Sequence, residues 1–267
     1  MTEQPMSGSV PSVPLPSPGD AAPWTVWRAL LASVLIFGGG QLLALALLQG
    51  AICWMQGWDA MLDAGASEKL GHKTQQWLVV GIQLVVTLVE LALAWRIAGW
   101  GGRNRFAAIN LLPVRFSGGD WVKAIALVLG VKLAVSVVVV PLSGGRGGSV
   151  AQDMAPFLEI ARDARLWLCF LAAAILAGLI EEIVFRGILS RTLESTALGF
   201  WGGATLASAI FAVMHLQYGL VGQIVVFAMG LTFSWLRAST GSIWPGVVTH
   251  ALNNALALLI MKIMVTV

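Results

Sequence analysis

Residues 124–141, AIALVLGVKLAVSVVVVP, hold one charge in eighteen positions. As a helix, that stretch is about 27 Å long. Roughly twenty apolar residues cross the ~30 Å hydrocarbon layer of a bilayer, so this run is of spanning length. The pattern repeats along the chain, with apolar runs at 27–56, 77–98, 120–142, 166–189, 200–216, 219–236 and 243–265. It predicts an all-α, polytopic membrane helical bundle of about seven transmembrane helices, with six to eight compatible with the lengths. The fifth and sixth runs are short and meet at HLQYG.

Composition agrees with a lipid environment: 58% of residues are hydrophobic, 11% are charged, and the mean hydropathy is +0.83. No soluble core needs so much apolar material. Trp24, Trp27, Trp54, Trp58, Trp77, Trp95, Trp121, Trp167, Trp201, Trp235 and Trp244 lie near the ends of apolar runs, where interfacial aromatic belts sit. Cys53 and Cys169 fall within apolar runs and are expected to be small packing residues, not a disulfide. Three regions follow. Residues 1–23 form a Pro/Ser-rich tail expected to be disordered. Residues 24–165 hold the N-terminal spans and an interfacial helix, and residues 166–267 the C-terminal transmembrane core. The start of the chain lacks a basic segment followed by an apolar one, so no cleavable signal is expected and the first span serves as its own insertion signal.

The net charge of +3 comes from basic loops and sets orientation; no nucleic-acid partner is expected. The loop at 99–115 carries Arg103, Arg105 and Arg115, with Arg96 and Lys123 beside it. The positive-inside rule puts this loop and the N-terminus in the cytoplasm, although Arg162 and Arg165 lie on the other side. The expected location is a bacterial cytoplasmic membrane, with the lipid bilayer as first partner. The segment DMAPFLEIARDAR, 153–165, has the charge alternation of a short interfacial helix.

Five charges sit at membrane depth. Glu90 and Lys132, in the second and third runs, are expected to neutralise each other as an interhelical pair. The other three lie in AGLIEEIVFRGILS, 177–190. A carboxylate near the bilayer centre costs about 2.5–3.5 kcal/mol on insertion scales, so two adjacent ones need an explanation. Glu182 and Arg186 are four apart, on one helical face, in the favourable order of acid before base. Glu181 is turned by about 100° from that face and lacks a local partner.

Two of the three histidines lie downstream in apolar runs, whereas His72 is in a loop. FAVMH puts Phe211 one turn before His215, and HALNN puts His250 and Asn254 on one face. Asn253 points elsewhere and is expected to hydrogen-bond between helices. A desolvated carboxylate holds a proton more tightly, which suits a general base near neutral pH. Glu181 could therefore take a proton from water attacking a carbonyl, with His215 holding the water. His250 and Asn254 would donate to the oxyanion. Ser208 and Ser242 lack a GxSxG setting, so serine catalysis is not expected. Glu181, His215 and His250 are also ligand types that zinc accepts, which leaves a divalent metal open; there is no HExxH pair, and the leading expectation is a site without a cofactor.

EEIVFRG at 181–187, FAVMH at 211–215 and HALNN at 250–254 resemble, in order and spacing, the three motifs of the CAAX-protease and bacteriocin-processing (CPBP) family of intramembrane proteases. The resemblance covers roughly 166–260. It implies a helical membrane fold and glutamate-dependent hydrolysis of a peptide bond in a membrane-associated or lipid-anchored protein. The family's catalytic glutamate maps to Glu181, its paired acid and base to Glu182 and Arg186, its water-binding histidine to His215, and its oxyanion residues to His250 and Asn254. Two other classes compete. A proton-coupled transporter would need polar, broken helices in both halves, and the cluster is confined to the C-terminal half. A non-catalytic scaffold or immunity protein would keep the motifs for folding alone.

Overall fold

The computed structural model describes residues 24–63, 65–114, 116–142 and 164–266. The expected tail at 1–23 and all but the last two residues of the expected interfacial helix lie outside them. The described residues are helical, with no strand among them, as the apolar runs predict. Among the described residues, a helix occupies each of the seven runs. The first, α1 (Val26–Gln56), contains a wider π turn at Val34–Gly38. It is followed by α2 (His72–Ala98) and α3 (Gly118–Leu142). Next come α4 (Ala164–Glu182), α5 (Gly199–Val213), α6 (Gly219–Thr240) and α7 (Trp244–Thr266). His72 is the first residue of α2 and not a loop residue.

Among the described residues, four helices are long and apolar enough to cross a membrane: Val26–Gln56, Lys73–Ala98, Gly118–Pro141 and Leu216–Thr240. The run at 166–189 differs from a plain span. It continues past Glu182 as a π-helical stretch, Ile183–Ser190, and ends in a further turn at Arg191–Glu194. The fifth run is shorter than a span. α5 stops at Val213, and at 15 residues it is about 22 Å long. The backbone leaves helical geometry at His215 (φ −107°, ψ 38°), makes a 3-10 turn over Leu216–Tyr218 and re-enters helix after Gly219, whose φ is +60°. HLQYG is thus a break between α5 and α6, and it leaves His215 just past the end of a short helix.

The turn from α6 to α7 is encoded locally. Gly241, at φ +70°, closes α6 with its N–H on Arg237 O, and the Ser242 hydroxyl accepts from Trp244 N. Pro245 then falls in the first turn of α7, where its missing N–H costs nothing.

α4 is the central element. One side of it and of its π extension, through Ile180, Ile183, Val184 and Ile188, packs on Ala29, Ala32 and Ile36 of α1, on Ala94, Ile97 and Ala98 of α2, and on Ile243 and Val247. The other side, through Phe185, Leu189 and Leu193, packs on Ala207 and Phe211 of α5. In lipid, helices associate by close packing more than by burial of apolar area, and alanines at these contacts permit close approach.

Candidate active site

The site forms where α4 turns into its π extension and meets α5, α6 and α7. Arg186, 1% exposed, brings Nη1 to 3.1 Å from Glu182 Oε1. Its guanidinium lies 4.4 Å from the ring centroid of Phe211, 5.3 Å from Phe233 and 5.8 Å from Phe185. Three aromatic faces therefore surround a desolvated cation, where such a contact is worth about 2 kcal/mol or more. Space for the head groups comes from two glycines. A Cβ on Gly230 would meet Arg186 Nη2 and Ser208 at 2.9 Å, and one on Gly246 would meet Glu182 Oε2 at 2.8 Å.

The two glutamates have different surroundings. Glu182 is wholly buried, and its Oε1 contacts both Arg186 and His250 Nδ1, the latter at 3.1 Å. The Glu181 side chain keeps 20% of its surface open, and its Oε2 lies 3.5 Å from His250 Nε2. The imidazole of His250 therefore bridges the two carboxylates. It is stacked on Phe233 at 5.1 Å and packed against Gly178 of α4.

His215 sits across Phe211 from His250. Ring centroids are 4.6 Å apart for Phe211 and His215, and 6.2 Å apart for Phe211 and His250. His215 Nδ1 lies 2.8 Å from the carbonyl oxygen of Phe211. A carbonyl only accepts, so Nδ1 carries the proton, and in the neutral ring Nε2 keeps its lone pair. Asn254 donates to Ala174 O on α4 at 3.4 Å and accepts from Asn253 at 3.3 Å. The described contacts thus join Glu181, Glu182, Arg186 and His250 directly; His215 and Asn254 flank that cluster without touching either glutamate.

The expected Glu90–Lys132 pair does not form. Lys132 Nζ donates instead to Asn253 Oδ1 at 2.8 Å, which makes Asn253 the interhelical residue the sequence suggests. Glu90 is buried against Gly40 of α1. Helix geometry separates the two because each points along the bundle toward a different neighbour. Another polar cluster was not read from sequence. Glu194 pairs with Arg237 and accepts from Ser190, tying the end of the α4 extension to α6. Its only signal is two charges at the ends of apolar runs.

Among the described residues, no three His, Cys, Asp or Glu side chains converge as a metal ion requires. His215 Nδ1 faces a carbonyl, and His250 lies between two carboxylates. Ser242 Oγ is committed to Leu112 O and to capping α7, which leaves it no nucleophilic role.

Fold and site together define a helical membrane protein with a buried carboxylate–imidazole cluster in its C-terminal half. Residues 163–256, which contain all three motifs, match the family described as Rce1-like, type II CAAX prenyl endopeptidase. The CPBP resemblance is borne out over this region. The chain is 32% identical over 87 residues to "Putative membrane peptidase YdiL" of Bacillus subtilis (strain 168), covering 33% of this chain and 34% of the relative. It is 35% identical over 94 residues to an Escherichia coli protein described as "Uncharacterized 24.3 kDa protein", covering 34% of this chain and 43% of that one. The chain thus spans between a third and a half of the length of these curated relatives. No solved structure matches.

Proposed function

We propose that the protein is an intramembrane endopeptidase that hydrolyses a peptide bond of a membrane-associated or lipid-anchored protein, with Glu181 as general base. The observation that carries this is the asymmetry of the two glutamates. Glu182 is consumed by Arg186 and His250, whereas Glu181 stays partly open beside the same imidazole. The match to prenyl endopeptidases over 163–256, and the relative named as a membrane peptidase, support peptide hydrolysis over other chemistry.

In the reaction proposed, a water lies between Glu181 and the free Nε2 of His215. Glu181 takes its proton as the oxygen bonds to the scissile carbonyl carbon. Negative charge moves to the carbonyl oxygen, which receives hydrogen bonds from the Asn254 amide and from His250 when Nε2 carries a proton. Collapse breaks the C–N bond, and Glu181 returns its proton to the leaving amine. Glu182 and Arg186 hold His250 in place and take no part in proton transfer.

The test compares membrane peptides from cells carrying wild-type and Glu181→Gln protein. Peptides present only with wild type are the expected result, with reconstituted activity falling by about 10²–10⁴-fold, the contribution of a general base. Identical peptide profiles would remove the assigned base. A Glu181→Gln strain that keeps its phenotype would favour the scaffold reading. A solute or proton flux lost with the same variant would favour a transporter.

A further inference from the structure

Lys132 is the fifteenth residue of α3, about 21 Å along it from Gly118. An ammonium at that depth is costly unless it has a partner, and its partner is an amide. Lys132 Nζ donates to Asn253 Oδ1 at 2.8 Å, Asn253 Nδ2 donates to Asn254 Oδ1 at 3.3 Å, and Asn254 Nδ2 donates to Ala174 O at 3.4 Å. Three donors in series point one way, from α3 through α7 to α4.

The direction matters because an amide can be turned end for end with little change in shape, and only its hydrogen-bond partners decide which end is oxygen. A lysine ammonium can only donate. Asn253 must therefore turn its oxygen to Lys132 and its NH₂ to Asn254. Asn254 must then turn its oxygen to Asn253 and its NH₂ toward α4. One of its two hydrogens is used by Ala174 O, and the other remains to be donated. Reversed, the same residue would present carbonyl lone pairs to a developing negative charge.

We propose that Lys132 is a positioning residue: through Asn253 it fixes the polarity of the Asn254 amide so that N–H, and not C=O, faces the site. This rests on the reading of Asn254 as an oxyanion donor, whereas the relay itself does not. Lys132 comes from a part of the chain that carries none of the three motifs, so the N-terminal spans complete a site whose other groups come from α4, α5 and α7.

A spectrum tests the relay without a substrate. The chain contains four asparagines, Asn104, Asn110, Asn253 and Asn254, so ¹⁵N-asparagine labelling of the full-length protein in detergent gives four side-chain NH₂ pairs. Their assignment follows from Asn253→Ala and Asn254→Ala. Lys132→Met is expected to shift the pairs of both Asn253 and Asn254, and Lys132→Arg, which keeps a donor, to restore them. A shift confined to Asn253 would make Lys132 a tether between α3 and α7 and overturn the proposal.

A second variant keeps the tether and breaks the polarity. Asn253→Asp still accepts from Lys132 but cannot donate to Asn254. With a peptide whose release depends on Glu181, kcat is expected to fall about 10- to 100-fold, up to the loss of one oxyanion donor. KM should stay within about twofold of wild type. Wild-type kcat in Asn253→Asp, with Glu181→Gln inactive, would sink the positioning role alone. Activity in Glu181→Gln would sink the hydrolytic reading and leave the spectroscopic result standing.

Discussion

At the scale of single residues, the site separates a carboxylate that holds structure from one that is free to react. Glu182→Ala would leave Arg186 as a buried cation without its carboxylate, and removal of one partner of a buried pair costs about 3–5 kcal/mol. The expected result is a marked fall in thermal stability in detergent, measured by near-UV circular dichroism. Glu181→Gln, which keeps shape and the neighbouring pair, should melt within a degree or two of wild type. Equal losses in the two variants would erase the distinction between them. Gly230 belongs to the same ledger of space. Gly230→Ala would put a methyl 2.9 Å from Arg186 Nη2 and from Ser208, with little room to yield among fully buried groups. Overpacking of this kind costs about 1–3 kcal/mol, and the same melting experiment reads it.

At the scale of elements, the change from α to π winding at Ile183–Ser190 widens the helix where its polar groups must face three neighbours at once. Single π turns are rare and recur at functional sites. The sequence carries the contents of this segment but not its winding. Glu182 and Arg186 pair as an i,i+4 spacing suggests, and the ring of Phe211 meets that of His215 as FAVMH implies, because both contacts lie within a turn or so. Contacts between elements were not legible. Lys132 reaches Asn253 across 121 residues, and Phe233 enters the cage around Arg186 from a helix with no motif. Spacing constrains neighbours on one helix and says little about which faces two helices share. The Glu194–Arg237 pair, 43 residues apart, is of the second kind. Arg237→Ala should cost about 3–5 kcal/mol because it strands Glu194, while Glu194→Leu with Arg237→Met should recover most of it. Unfolding measured for the single and double variants separates a buried pair that fixes the end of α4 against α6 from one that can be lost without consequence.

At the scale of the whole molecule, the C-terminal half carries the motifs, but the N-terminal half supplies both the surface on which α4 rests and two charges beside the site. Ala29, Ala32 and Ile36 of α1 and Ala94, Ile97 and Ala98 of α2 form the wall behind Ile180, Val184 and Ile188. Lys132 reaches Asn253, next to Asn254, and Glu90 is seated against Gly40 of α1, so the two residues expected to neutralise each other are held by different neighbours. What admits Glu90 is Gly40, in α1. A Cβ there would clash with Glu90 Oε1, far inside contact distance. Gly40→Ala must therefore push the α2 carboxylate out of its seat or part α1 from α2, at about 1–3 kcal/mol. In a Glu90→Ala background the same methyl meets no carboxylate and should cost little. Residues in contact couple in this way, and distant ones add. A double-mutant cycle in melting temperature measures the coupling. Strict additivity of Gly40→Ala and Glu90→Ala would mean that the two helices do not meet where Glu90 is seated, and the N-terminal wall of the site would have to be drawn elsewhere.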